Sequence, residues 1–226
     1  MTPRGRANLT RCREMSELTL SERRKDLLTS MMKDAIYEAA VAVLTEHGAT
    51  GVTMERVAEK AGVAKGSLYN YFPNKLALLQ FVHERAVEPL KQKAEAIFRS
   101  RRPALDKIEA IIRVWFTSID EQRGVFNFLF LDTNARDLLK GEEASGRAFA
   151  IEVLSAIIQQ GVDEGVFRPS DAKRTAWLLF GAAREVCDLQ LTAGTDLPVP
   201  QLVEDVMNFF LHGVSSLAGR SPTKEE

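Results

Sequence analysis

The chain has 226 residues, of which 45% are hydrophobic, and a formal net charge of −1. Such a length can bury a core and accommodates one or two domains. The charge excludes a surface that is basic throughout, since a local +4 in residues 1–33, from eight Lys and Arg against four acids, is balanced by −5 in the remainder. Any contact with a polyanion is therefore expected to be local.

Several classes of site and location are also disfavoured. The two cysteines, Cys12 and Cys187, are far apart, and no Cys or His spacing indicates a metal or redox site. The N-terminus lacks the apolar core of a signal peptide, and no apolar run is long enough to span a bilayer. We therefore expect a soluble, cytoplasmic protein with no cofactor, no metal ion and no membrane partner.

The first two predicted helices are bounded by clear signals. In the first, apolar residues recur at steps of three and four from Leu28 to Val43, and Gly48 then supplies a stop. Thr53 is a suitable N-cap for a short second helix. Gly62 ends that helix, because glycine tolerates a positive φ.

The remaining elements are helical as well. A third helix runs to about Tyr71, and Asn74 is placed to cap a fourth, which contains Pro89 and should be kinked or broken there. Glycine and proline breakers delimit further segments near 103–121, 124–140, 144–164, 170–192 and 199–217. The sequence predicts an all-α protein of about nine helices. Its expected parts are a disordered basic arm at 1–20, a three-helix head at 21–73, a helical body at 74–218 and a disordered tail at 219–226.

The segment 53–75 predicts a helix-turn-helix that reads DNA. Lys65, Gly66 and Ser67 lie in the first turn of its third helix, where a recognition helix meets base edges. Gly66 permits close approach, Ser67 can donate or accept a hydrogen bond, and Lys65 can reach guanine acceptors or a phosphate.

Further candidates for DNA contact surround that turn. The hydroxyls of Tyr69 and Tyr71 can reach phosphate oxygens, although both rings can instead pack in the core. Asn70 can contact adenine or a phosphate. Thr53 and Lys75, each at a helix N-terminus, are expected to hold phosphates.

The run from Val57 to Phe72, followed by Asn74-Lys75-Leu76, closely resembles the DNA-binding region of the TetR family of bacterial transcriptional regulators. The resemblance covers about residues 25–85. Family members often carry serine or threonine at the position of Ala64. Alanine has no hydroxyl with which to cap the helix or bind a phosphate, so Ala64 is left out of the predicted site.

The resemblance implies a homodimeric repressor that binds double-stranded DNA, at a palindromic operator, through the 64–71 recognition helix. It further implies that helices 170–192 and 199–217 pair with their symmetry mates, and that a ligand cavity lies among helices four to seven. A small-molecule effector of unknown identity would then release the repressor. From the position of Pro89 we expect the effector to swing the N-terminal half of the fourth helix and so to change the separation of the two recognition helices.

Aromatic residues of the body suggest where such an effector would bind. The run 126–130 is too dense in rings for one helix face to bury, so some of them should border a pocket or a partner surface. An apolar or aromatic ligand is therefore expected. The candidate ligand-binding residues are Phe98, Arg113, Trp115, Phe116, Phe126, Phe128, Phe130, Phe149 and Trp177.

The segment 170–192 is apolar around nearly its whole circumference. A helix of this kind is expected to be buried on two opposite sides. Arg184 and Asp188 are four residues apart and can pair within the helix, or Glu185 can meet Arg184 of a partner subunit.

Two other classes of function remain open. One is a DNA-binding activator or a DNA-binding protein that senses no ligand. The more remote one is a helical carrier or enzyme acting on apolar molecules. The sequence contains no nucleophile-elbow, metalloprotease or phosphate-loop motif, so we expect no enzyme activity. The arginines between Arg4 and Arg13 either add DNA contacts or form a solvated tail.

Overall fold

The computed structural model describes residues 19–192 and 197–212. In those ranges it contains ten α-helices and no strand, which confirms the all-α prediction. The helices are α1 (Leu20–Gly51), α2 (Met54–Lys60), α3 (Lys65–Tyr69), α4 (Lys75–Phe98), α5 (Ala104–Glu121), α6 (Arg123–Leu131), α7 (Thr133–Leu138), α8 (Lys140–Asp163), α9 (Ala172–Thr192) and α10 (Val199–His212).

The chain divides into two compact units, Met1–Leu78 and Leu79–Glu226, so the division falls within the first turns of α4. No helix in the described ranges is long and apolar enough to cross a membrane.

A capping box starts α1 earlier than predicted. The Thr19 amide donates to the Glu22 carboxylate at 2.8 Å, and the Glu22 amide donates to the Thr19 hydroxyl at 3.3 Å. This reciprocal pair satisfies two donors of the first turn, so α1 begins at Leu20, just inside the segment predicted as the basic arm at 1–20. Its other residues, the predicted tail at 219–226 and the end of the 199–217 segment lie outside the described residues.

The buried stripe of α1 is shorter than predicted. Ile36, Ala39 and Val43 are buried, but Leu28 is 55% exposed and so does not extend the core. Gly48 has φ 66° and interrupts the helix, which confirms its predicted role as a stop.

The helix-turn-helix forms as its local signals predict. The Thr53 side chain accepts a hydrogen bond from the Arg56 amide at 3.2 Å, which confirms the N-cap of α2. Gly62 has φ 69°, so the turn after α2 uses the left-handed conformation that glycine favours. Leu68 and Phe72 are buried and anchor α3 and the residues that follow it.

The helix α4 is continuous through Pro89, so the predicted break does not occur. The Asn74 side chain accepts from the Ala77 amide at 2.9 Å, which confirms the predicted cap. Proline still removes one backbone donor from the middle of the helix and leaves a weak point there.

The segment predicted at 124–140 is two helices, α6 and α7, separated at Asp132. This residue has an extended backbone (φ −78°, ψ 112°), and its side chain accepts from the Ala135 amide at 3.0 Å. The break follows from the preference of aspartate for the N-cap position, a signal that the sequence contained.

A polar network ties α5 to the end of α8. The buried Lys107 ammonium donates to the Gln160 side chain at 2.8 Å, and the Ala104 amide donates to the Glu164 carboxylate at 3.0 Å. The Ala104 hydrogen bond is the main cause that lowers the pKa of Glu164, and the bond from Gln160 lowers it further.

The turn after α8 depends on Gly161. A Cβ added there would overlap the ring of Phe167, which packs edge-on against Phe210 at 5.6 Å between centroids. We expect Gly161→Ala to lower the free energy of unfolding by about 1–3 kcal/mol, because the ring must leave its packed position. Urea denaturation measures this.

The matched control is Gly146→Ala in the same helix. A Cβ at Gly146 meets nothing within 4 Å, so this change should stabilise the protein by about 0.5–1 kcal/mol. Equal effects of the two substitutions would contradict the packing argument.

Candidate nucleic-acid interface and ligand cavity

The short helix α3 presents polar side chains in an open environment. Ala64 precedes it in an extended conformation and makes no side-chain cap, as predicted. Of the eight predicted DNA-binding residues, Thr53, Lys65, Gly66, Tyr69 and Asn70 are exposed, and Ser67, Tyr71 and Lys75 are half-buried. All eight lie in the first compact unit, and as DNA contacts they stay predictions.

Gly66 has no structural reason to be glycine in the folded chain. It lies within α3 with an ordinary helical backbone, and a Cβ added there would meet nothing within 4 Å. Glycine in a helix costs about 0.5–1 kcal/mol relative to alanine. An exposed glycine without a packing role at this place is what close approach of a ligand to the backbone would require.

Lys65 is held by a carboxylate of the neighbouring helix. Its ammonium forms an ion pair with Glu55 of α2 and lies 6.0 Å from the centroid of the Tyr69 ring. The hydrogen bond and the charge of Glu55 raise the pKa of Lys65, and the same hydrogen bond lowers the pKa of Glu55. As a predicted DNA contact, Lys65 would have to exchange this carboxylate for a phosphate or a base.

This exchange leads to a prediction for Glu55. We expect Glu55→Gln to raise DNA affinity about two- to fivefold, because the carboxylate no longer competes for Lys65 and one negative charge leaves the surface. Fluorescence anisotropy with a labelled operator at fixed salt measures the change.

Glu46→Gln serves as the control. Glu46 pairs with Lys60 at 2.7 Å, and its exposure of 50% is close to the 58% of Glu55. It removes the same charge from the same unit away from α3, so affinity should change little. An equal gain in both variants would show that only total charge matters.

The second unit contains a cavity of about 320 Å³, at the small end of the range for ligand sites, about 300–1,000 Å³. It is bounded by side chains from α4 to α9. Its wall is mostly apolar and aromatic, and consists of His83, Val87, Leu90, Lys91, Ala94, Ile111, Val114, Trp115, Phe126, Phe130, Arg136, Glu143, Gly146, Arg147, Phe149, Ala150, Val153, Leu154, Phe180, Arg184 and Asp188.

Four of the nine predicted ligand-binding residues line this cavity: Trp115, Phe126, Phe130 and Phe149. The other five lie outside its wall. Phe116 and Phe128 are buried elsewhere in the core, and Arg113 pairs with Glu109 at 2.6 Å. Phe98 lies beside Lys107, and Trp177, 47% exposed, lies beside Arg147.

Sequence reasoning missed the contribution of α9. Phe180, Arg184 and Asp188 follow at steps of four and share one face of this helix, a spacing that could have been read as a cavity face. Phe180 stacks on Trp115 with centroids 5.2 Å apart. The guanidinium of Arg184 lies 3.7 Å from the centroid of Phe130 and pairs with Asp188 at 2.9 Å, which confirms the predicted pair within the helix.

Two titratable groups of the second unit are uncharged near neutral pH. Burial is the main cause that lowers the pKa of His83 on the cavity wall. Burial also raises the pKa of Cys187 to about 12, so its thiol is not a nucleophile under ordinary conditions. Among the described residues, no group of three or more His, Cys, Asp or Glu side chains is arranged to hold a metal ion.

Part of the surface of α9 and α10 is apolar and open to solvent. Leu178 is 70% exposed and Leu189 is 59% exposed, and their separation of eleven residues, about three turns, places them on one face. On α10, Phe209 is 55% exposed. Leu178 and Leu189 thus give α9 an exposed apolar face, a feature typical of a surface that contacts another protein.

Comparison with known proteins identifies the group to which this architecture belongs. The sequence profile described as "Bacterial regulatory proteins, tetR family" matches residues 36–82, the region of the helix-turn-helix. Residues 36–82 therefore form a DNA-binding domain of the TetR-family type. The chain is a helix-turn-helix transcriptional regulator.

Other proteins are similar to this chain in sequence or in fold. The transcriptional regulator RutR of Escherichia coli strain K12 is 27% identical over 198 residues, 82% of this chain and 91% of RutR. FadR from Bacillus subtilis, solved in complex with stearoyl-CoA, has the same fold with a TM-score of 0.69 at 21% identity, covering 80% of this chain and 98% of FadR. SmeT of Stenotrophomonas maltophilia, in complex with triclosan, gives 0.71 at 22% identity, covering 86% and 100%.

Proposed function

We propose that this chain is a homodimeric repressor that binds a palindromic operator and is released by a small apolar ligand. The first unit would be the DNA-binding domain, and the second would bind the ligand and dimerise. The exposed residues of α3, with Thr53 and Lys75 at neighbouring helix N-termini, would contact bases and phosphates.

One arrangement carries the proposal of ligand control. The helix α4 begins at Lys75, a predicted phosphate contact, and the same helix contributes five residues to the cavity wall, from His83 to Ala94. A ligand in the cavity therefore touches the element that follows the recognition segment. Pro89 lies between the two ends of that set and marks where the helix bends most easily.

The ligand acts by favouring one position of α4 over another. It can shift the equilibrium only by its difference in affinity for the two positions, so DNA and ligand must weaken each other reciprocally. Support for a ligand of apolar character comes from the aromatic wall of the cavity and from the relatives FadR and SmeT, which were solved with stearoyl-CoA and triclosan.

Dimerisation through α9 and α10 would give the operator its two-fold symmetry. The exposed Leu178, Leu189 and Phe209 supply apolar surface for such a contact. Two recognition helices related in this way read half-sites about 34–36 Å apart, one turn of DNA, or further apart if two turns are spanned.

Operator affinity measured with and without ligand tests the function. Any compound that raises the melting temperature of the protein is first shown to bind, and the labelled operator is then titrated in its presence. We expect at least a tenfold loss of affinity, a coupling free energy of about 1.4 kcal/mol. Unchanged affinity with every compound that fills the cavity would contradict ligand control and leave DNA binding untouched.

A further inference from the structure

The wall of the cavity carries more positive than negative charge. Four cations, Lys91, Arg136, Arg147 and Arg184, face two carboxylates, Glu143 and Asp188. Because burial lowers the pKa of His83, this side chain adds no charge near neutral pH. The charged side chains of the wall therefore have a net charge of +2, and the rest of the wall is mostly apolar and aromatic.

Both carboxylates are already engaged. Arg184 pairs with Asp188 at 2.9 Å and with Glu143 at 3.6 Å, and its side chain is only 19% exposed. Its guanidinium is also stacked on Phe130, which holds the group in place. A cationic ligand would have to displace this arginine to reach a carboxylate.

The other three cations have no such partner. Within the described ranges, no carboxylate oxygen lies within 4.0 Å of the charged nitrogens of Lys91, Arg136 or Arg147. The acids near Lys91 on its own helix have other contacts, since Glu95 pairs with Arg99 and Glu88 accepts from Gln92. Lys91 is half-buried, whereas Arg136 and Arg147 are exposed.

We propose that the cavity binds amphipathic organic anions, with the apolar body between Trp115, Phe126 and Phe180 and the acidic group at Lys91 and Arg136. This assignment rests on the proposed function and names its ligand class. Aromatic rings take up an apolar body, and a charge-assisted hydrogen bond to lysine or arginine is roughly twice as strong as a neutral one. Unpaired cations at the edge of an apolar cavity therefore select a carboxylate, sulfonate or phosphate group.

Matched probes separate the headgroup from the apolar body. Decanoate, decan-1-ol and decyltrimethylammonium share one chain, and 2-naphthoate and 2-naphthalenemethanol share one ring system. Isothermal titration of the full chain at low salt should show each carboxylate binding about tenfold or more tightly than its alcohol, with the ammonium compound weakest.

Variants of the cavity edge test the residues. Lys91→Gln with Arg136→Gln should reduce the preference for carboxylate over alcohol to within about twofold. Affinity for the alcohol should be unchanged, which would show that the cavity of the variant is intact. The control is Lys93→Gln with Arg101→Gln, two exposed cations that do not line the cavity, which should preserve the preference.

Several outcomes would overturn the assignment. In the titrations, the assignment is contradicted if the alcohols bind as tightly as the carboxylates, if the ammonium compound binds most tightly, or if none of the five probes binds. It is also contradicted if the preference for carboxylate survives in the Lys91 and Arg136 variant. Operator affinity in the presence of a bound carboxylate is measured separately. Carboxylate-selective binding that leaves operator affinity unchanged would support the ligand class and contradict ligand-controlled repression.

Discussion

Reversing the charge of one exposed lysine, Lys65→Glu, is expected to lower operator affinity about a hundredfold or more. Each protomer would lose a contact worth about 1–3 kcal/mol and place a carboxylate where a base edge or phosphate approaches. Lys65 is exposed, so the free energy of unfolding should change by less than about 0.5 kcal/mol. Anisotropy titration at fixed salt gives the affinity, and urea denaturation gives the stability.

Lys60→Glu is the control for this substitution. Lys60 lies in α2 of the same unit, is 45% exposed against 53% for Lys65, and is likewise paired with a glutamate. The substitution changes the charge by the same amount, but the side chain of Lys60 is directed to Glu46 of α1. An affinity loss as large as that of Lys65→Glu would show that general electrostatics, not α3, dominates binding.

The second large effect is expected at the exposed face of α9. Leu178→Lys with Leu189→Lys should convert the proposed dimer into a monomer, because four lysines would meet in the proposed interface, where Leu178 and Leu189 are exposed apolar side chains. The two heads would then bind independently, and operator affinity should fall about a hundredfold or more through loss of the high effective concentration of the second half-site. Light scattering gives the mass, and anisotropy gives the affinity.

Leu138→Lys with Val166→Lys provides the matched comparison. Both residues are exposed apolar side chains of the second unit, at 46% and 54%, and neither lies on α9 or α10. The added charge is the same, so this variant should remain a dimer that binds the operator. A wild-type chain that is monomeric at micromolar concentration would contradict the dimer itself.

The head could be predicted closely from the sequence because its signals are local. A threonine cap, a glycine with positive φ and an asparagine cap each depend on two or three neighbouring residues, and all three occur at Thr53, Gly62 and Asn74. The capping box at Thr19 was an equally local signal and would have corrected the start of α1.

The cavity could not be predicted in the same way, because six helices build it and their relative rotation depends on the whole packing. Of two rings in one helix, Phe126 lines the cavity and Phe128 is buried elsewhere, although both are phenylalanine in an apolar run. Pro89 shows the limit of a local rule, since it lies inside a helix that continues past it.

Selection from random double-stranded DNA is the decisive experiment on whether α3 reads an operator. Wild type and Lys65→Glu are carried through the same rounds, with Lys60→Glu beside them. We expect wild type and Lys60→Glu to enrich one sequence with two inverted half-sites, about ten base pairs apart or a multiple of this, and Lys65→Glu to enrich none. Enrichment of the same sequence by Lys65→Glu, or no enrichment by wild type, would contradict this role of α3.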